Sequence, residues 1–333
     1  TERVRTVLPR LMREQGVDAW VLSAREYADD VAMKSFYAGE QFTARRQTIL
    51  LIVDPGAGKP LETLSIARYK VGEIFLPAWE PESGVDQFER LAQLLRERGV
   101  KKIALNVAPD SAFADGLSKG QYDKIAAALG PELMARTVSS APLVIRWLET
   151  RTPAEIERQR AVVRITHALI GEMFSAKVIK AGSTTADDAR WWLRERLERL
   201  GLATWFSPSV SIFRQGAAEL EGKEVIRPGD LLWTDFGITY FGLNSDVQHL
   251  AYVLRPGERD APAGLRAGLA KANRMQELVL AALPGAKSGN DVLVRTRAAM
   301  AREGIEGTVY SHPLGLHGHG AGPAIGFWDD QKP

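Results

Sequence analysis

Three of the five histidines in this chain fall in one short run, His312-Pro-Leu-Gly-Leu-His317-Gly-His319. Upstream, Asp235-Phe236-Gly237 and Ser245-Asp246 place two acids eleven residues apart on what reads as one β-hairpin. Carboxylate, imidazole and water together suit hard or borderline divalent ions such as Mn²⁺, Co²⁺ or Zn²⁺. Asp235 closes the apolar stretch Leu231-Leu232-Trp233-Thr234, which reads as a strand heading into a core. An ionised acid there needs a cation or strong donors, or its pKa must rise. Gly237 and Gly242 leave room for close approach. Gly315, Gly318, Gly320 and Gly322 punctuate the histidine run, where they let backbone approach a ligand. Taken singly, these residues have plainer readings: turn or ladder acids, and a glycine-rich loop with incidental histidines. A structural zinc clip is a further alternative, although such sites usually recruit cysteine. His167 and His249 read as satisfied core or surface groups.

The elements that must position these groups follow from periodicity and punctuation. Helical spacing covers 5–15, a short buried strand 19–22, and a clear strand 48–53 that Asp54-Pro55-Gly56 stops. Phe88, Leu91, Leu94 and Leu95 share one face of a helix over 86–98, with Gly99 as its stop. Another short strand covers 103–105. Near residue 150 the pattern changes. Thr152-Pro153-Ala-Glu155 is a helix start, and the helix is expected to run to about Lys180. Ser183 or Thr184 is expected to cap the next helix, which ends at Gly201. Strands over 231–241 and 246–254 form the hairpin, turning through Gly242-Leu243-Asn244, and helices follow over 263–282 and 290–302.

Length and composition bound the rest. A chain of 333 residues is too long for one ordinary core, so two domains are expected, 1–145 and 150–333. The 45% hydrophobic and 25% charged composition is that of a soluble globular protein. Net charge is +2, and no basic block would track a phosphate backbone, so no nucleic-acid partner is expected. The absence of cysteine excludes disulfides and thiolate zinc sites. No apolar run approaches the roughly 20 residues of a membrane span, so no membrane partner is expected. The N-terminal Thr1-Glu2-Arg3 shows no signal-peptide core. A cytoplasmic location is expected, with a removed leader left open because no initiator Met is present. Three look-alikes fail on context. Asp235-Phe236-Gly237 lacks a kinase His-Arg-Asp loop. Gly56-Ala57-Gly58-Lys59 has Pro60 where a phosphate loop needs Ser or Thr. Gly318 to Gly322 lacks the strand-to-helix setting of a dinucleotide site.

Together the acids and histidines resemble the pita-bread (M24-type) metallopeptidases, which include Xaa-Pro aminopeptidase and prolidase. In that family an Asp-x-Gly strand leads to a Ser-Asp pair, here Asp235-Phe236-Gly237 and Ser245-Asp246. A His-x-x-Gly-Leu-x-x-His segment follows, here His312 to His319. Trp147 to Arg160 is similar to the family's interdomain junction. The resemblance implies a two-domain α/β fold: a creatinase-like N-terminal α/β domain, then a pita-bread α+β catalytic domain. It implies a peptidase hydrolysing Xaa-Pro bonds through a metal-bridged hydroxide. Asp235, Asp246 and His312 would bind two divalent metal ions (Mn, Co or Zn), and His319 would be the catalytic donor to the substrate carbonyl. The substrate would be a small peptide with proline at P1′, held against aromatics such as Trp205, Phe206 or Phe213. A homodimer is expected. The family completes its site with two glutamates further along than Pro333, so a C-terminal segment is expected to supply them. Prolidases also carry a substrate-binding histidine where this chain has Arg214 to Ala218, and Asp246-Val-Gln248-His249 replaces the usual Asp-Ile-Thr-Arg. Two alternatives stay open: a metal-free, creatinase-like hydrolase centred on His319, and a catalytically incomplete binding module.

Overall fold

The protein is described from a computed structural model covering residues 2–37, 39–56 and 58–333. Thr1, and Ala57 of the discounted phosphate-loop look-alike, lie outside the described residues. Contacts divide the chain into two compact units that meet in sequence at Thr152 and Pro153. Among the described residues no helix is long and apolar enough to cross a membrane.

The first unit is an α/β layer. Where the spacing predicts one helix over 5–15, two short helices form, α1 (Glu2–Thr6) and α2 (Leu8–Glu14). Pro9 explains the break, because its ring cannot donate to the preceding turn and suits only a first turn. The remaining elements are β1 (Ala19–Arg25), α3 (Val31–Lys34), β2 (Gln47–Val53), β3 (Glu62–Ile66), β4 (Leu76–Pro77), α4 (Gln87–Glu97), β5 (Ile103–Leu105), α5 (Lys119–Met134), β6 (Thr137–Ser139) and α6 (Ala141–Glu149). The sheet order is β4-β3-β2-β1-β5-β6, with β1 antiparallel to β2 and parallel to β5. Strand β1 outruns its predicted span of 19–22 because Ser23 is satisfied while buried. Its hydroxyl donates to Gln121 (2.7 Å) and accepts from Gln47 (3.0 Å). Val21, Leu51 and Ile103 on the sheet pack against Leu91 and Leu95 of α4. Each such side chain contributes about 1.5–3 kcal/mol on burial.

The second unit begins with α7 (Pro153–Met173) and α8 (Ala186–Arg199). Helix α7 stops short of Lys180 because the Ser175 hydroxyl takes over its end, donating to the Glu172 carbonyl and accepting from the Lys177 N–H. Thr185, not Ser183 or Thr184, caps α8 in a capping box with Asp188. The Thr184 hydroxyl is already engaged by the Lys180 N–H at 2.8 Å. Strands β7 (Ser209–Phe213) and β8 (Leu231–Phe236) come next, then a two-stranded ribbon, β9 (Thr239–Tyr240) and β10 (Leu243–Asn244), and finally β11 (Val247–Tyr252). The antiparallel order is β11-β8-β7. The predicted hairpin is therefore present, with the small ribbon at its tip. That tip turns through Phe241 and Gly242, both at positive φ (54° and 70°), one step earlier than expected. Val162, Leu169 and Ile170 of α7 and Leu193 and Leu197 of α8 share one core with Ile212, Leu232 and Phe236. Helices α9 (Ala263–Ala282) and α10 (Gly289–Arg302) form a smaller cluster around Leu278, Leu293 and Met300.

The start of β8 is held by a charge fork. Arg214 gives Nε and Nη2 to the two carboxylate oxygens of Asp230 (2.8 and 2.9 Å) and Nη1 to Glu224 (2.5 Å). Asp230 is only 1% exposed, so it depends on that cation. Replacing Arg214 by Met is expected to destabilise the protein by about 3–5 kcal/mol, with most of the loss recovered on adding Asp230→Asn. Urea unfolding of the single and double variants measures both; equal losses would contradict the account.

Candidate active site

The site begins with alternation along β8. Leu232, Thr234 and Phe236 are buried, while Leu231, Trp233 and Asp235 face the opposite, partly open side. Asp235 therefore lies on the partly open face of a strand whose other face enters the core. Pairing with β11 sets Gln248 directly across from Asp235, and pairing with β7 sets Ser209 on its other flank. Asp246 stands just before β11, so both acids reach the same face. Gln248 Nε2 donates to Asp235 Oδ1 at 2.8 Å and to Asp246 Oδ1 at 2.7 Å.

Ser245 fixes Asp246. Its side chain is fully buried. The hydroxyl lies 2.6 Å from Thr166 Oγ1 on α7 and accepts from the Ile238 N–H at 2.9 Å. Its carbonyl accepts from Trp205 Nε1 at 2.8 Å. Gly237 passes so close that an added Cβ would lie 2.1 Å from the Ser245 carbonyl oxygen. The close approach anticipated for Gly237 is present, whereas Gly242 serves the turn and has open space around it.

The histidine run is tied to the same hairpin. Asn244 donates its backbone N–H (2.8 Å) and its Nδ2 (3.0 Å) to the Gly315 carbonyl. The Gly320 N–H closes the loop onto Pro313 at 2.8 Å. Gly318 abuts the Trp205 indole, where a Cβ would lie 2.1 Å from ring atoms. So held, His312 sets Nε2 3.2 Å from Asp246 Oδ2. His319 stands edge-on to His312, with ring centroids 4.5 Å apart, and 5.3 Å from Trp205. Trp205 thus touches the Asp235–Gly237 strand end, Ser245 and the histidine loop at once. Phe206 packs on it at 4.4 Å. Phe213 sits opposite Leu231, four residues along β7 from the Ser209–Asp235 register, and is remote from these groups.

Electrostatics mark this cluster out. Loss of water around the Asp235 carboxyl, reinforced by the neighbouring Asp246 charge, pushes its pKa up to about 6 against the opposing hydrogen bond from Gln248. His312 Nδ1 lies 3.1 Å from the Pro313 carbonyl. His312 Nε2 faces the Asp246 carboxylate oxygen at 3.2 Å, a gap that a proton or a cation can bridge. Two carboxylates and an imidazole on one face are a donor set that fits a divalent metal. Among the described residues, no group of three or more His, Cys, Asp or Glu is drawn together at ligating geometry. The Gln248 amide lies between the two acids instead.

Two further points bear on the expectations. His167 and His249, read singly as satisfied groups, face each other with Nδ1 and Nε2 2.9 Å apart, and burial beside His167 lowers the His249 pKa. Their separation in sequence hides that pairing. Arg214, at the start of the stretch 214–218 that stands in place of the prolidase substrate histidine, is committed to Asp230 and Glu224.

Residues 157–331, more than half of the chain, match the family described as metallopeptidase family M24. No match was found among curated proteins. Among solved structures, X-Pro aminopeptidase from Thermotoga maritima MSB8 superposes with a TM-score of 0.65 at 20% identity, covering 97% of this chain and 86% of that one. Xaa-Pro dipeptidase from Bacillus anthracis gives 0.56 at 20% identity, covering 97% and 84%. Prolidase from Pyrococcus furiosus gives 0.57 at 16% identity, covering 97% and 87%. At these identities the likeness establishes the fold, an α/β N-terminal domain followed by a pita-bread domain.

Two stability measurements test this geometry. Ser245→Ala leaves the buried Ile238 N–H without its acceptor and is expected to cost about 1–3 kcal/mol in urea unfolding; a loss near zero would refute the anchoring role. For Asp235, a folded pKa near 6 against a usual 3.8 means that the folded state favours the protonated acid. Its contribution is full below about pH 4 and is lost as pH rises through 6. In chelator, Asp235→Asn is expected to flatten that fall and to gain about 1 kcal/mol at pH 7, a figure discounted for the half-exposed carboxyl.

Proposed function

The chain belongs to metallopeptidase family M24, and from that premise we propose that it hydrolyses Xaa-Pro peptide bonds, with Asp235, Asp246 and His312 among the ligands of two divalent metal ions and His319 as the catalytic donor. The observation carrying this reading is the approach of His312 Nε2 to Asp246 Oδ2, 3.2 Å apart, beside a second carboxylate. A divalent cation held there would supply Lewis acidity, polarising a carbonyl and making water a competent nucleophile near neutral pH.

The chain's own groups do the remaining work. His319 is exposed beside His312, and its ring is steered by Trp205. From there its N–H donates to the scissile carbonyl oxygen as negative charge develops, a contribution of about 3–4 kcal/mol for one such donor. Trp205 and Phe206 form an apolar wall next to the acids. That wall suits the pyrrolidine ring of a proline at P1′, whose nitrogen has no N–H to satisfy.

The test uses protein stripped by chelator and reloaded with Mn²⁺, assayed on a dipeptide ending in proline and on longer Xaa-Pro peptides. Mn²⁺ is expected to restore activity. Asp246→Asn is expected to abolish it, and His319→Ala to lower kcat by about 10²–10³. Undiminished turnover of stripped protein in excess chelator would sink the proposal.

A further inference from the structure

The amide of Gln248 occupies the place between the two acids. An NH₂ group carries two hydrogens, and here each acid takes one, at 2.8 Å (Asp235) and 2.7 Å (Asp246). Both contacts are charge-assisted, and they relieve the repulsion between two carboxylates on one face of the hairpin. Donor hydrogens cannot point at a cation, so this arrangement and a cation shared by the pair exclude each other. Gln248 is exposed on β11 and is opposite Asp235 in register, so its side chain has open solvent to enter when displaced. It is therefore free to leave without disturbing the strand.

We propose that Gln248 is a built-in plug of the carboxylate pair: it stands in for the cation in the metal-free protein and must swing out before Asp235 and Asp246 can share a divalent ion. The inference rests on the metal reading above and concerns how that site is filled. Losing two hydrogen bonds to charged groups at a partly exposed position opposes metal entry by roughly tenfold. Gln248 is thus a positioning residue. It sets affinity and the stability of the empty site without joining the chemistry.

Mn²⁺ titration followed by the electron paramagnetic resonance signal of the free ion, together with thermal unfolding, tests this on wild type, Gln248→Ala, Gln248→Thr and Asp246→Asn. Thr keeps the strand preference of β11. Both Gln248 variants are expected to unfold at lower temperature than wild type in chelator. They should bind Mn²⁺ about tenfold more tightly, and their melting temperature should rise more on adding it. Unchanged affinity would overturn the plug, and weaker affinity would overturn it in favour of the amide oxygen as a ligand. If wild type and both Gln248 variants bind Mn²⁺ no better than Asp246→Asn, the metal reading itself falls and the plug with it.

Discussion

Everything at this site depends on one buried hydroxyl. Ser245 joins helix α7 through Thr166, the strand end through Ile238, and Trp205 through its own carbonyl. The two bonds of the hydroxyl are buried, so their partners would be costly to leave unpaired. The consequence is rigidity in the residue next to Asp246. Trp205 then transmits the same fixed point to Gly318 and His319, because its indole is hydrogen-bonded to Ser245 on one edge and is in contact with the histidine loop on its face. A carboxylate and an imidazole distant in sequence are thereby held 3.2 Å apart without a disulfide.

Such rigidity brings like charges together. Two acids on one hairpin face repel, and partial burial raises the proton affinity of Asp235. The Gln248 amide donates to both acids, and the His312 ring lies beside Asp246. Hairpin register and the buried Ser245 contacts thus bring the two acids and the imidazole together by the fold itself.

How much of this was legible in the sequence depended on the range of the interaction. Asp235, Asp246, His312 and His319 were picked out as site candidates from residue type and spacing, because local punctuation by glycine carries that signal. The hairpin and the helix over 86–98 were legible for the same reason, since period and cap lie within one segment. What escaped is set by partners far along the chain. Ser23 extends β1 only because Gln121 and Gln47 satisfy it. The His167–His249 contact and the role of Trp205 likewise depend on packing between distant elements. The stretch Arg214 to Ala218 was singled out only for lacking a histidine, and the role of Arg214 as the cation of Asp230 depends on a partner 16 residues away. An apolar run such as Leu231 to Thr234 does not reveal which of its alternate residues face the core, so the side from which Asp235 emerges was not legible.

That last ambiguity is also the constraint that the fold must meet most strictly. In a strand with period two, a slip of one residue would send Asp235 into the core and Phe236 to the open face. Strand β8 is only six residues long, so its own ladder offers modest resistance. Resistance comes from both ends instead. At its start, Asp230 is clamped by the Arg214 fork and by the Arg227 N–H. At its far end, Gly237 is wedged against the Ser245 carbonyl, where no side chain fits. A slip in either direction would bring a side chain into that wedge or pull a buried carboxylate off the Arg214 guanidinium. The two clamps lie outside the chemistry, yet they decide on which face of the sheet Asp235 appears.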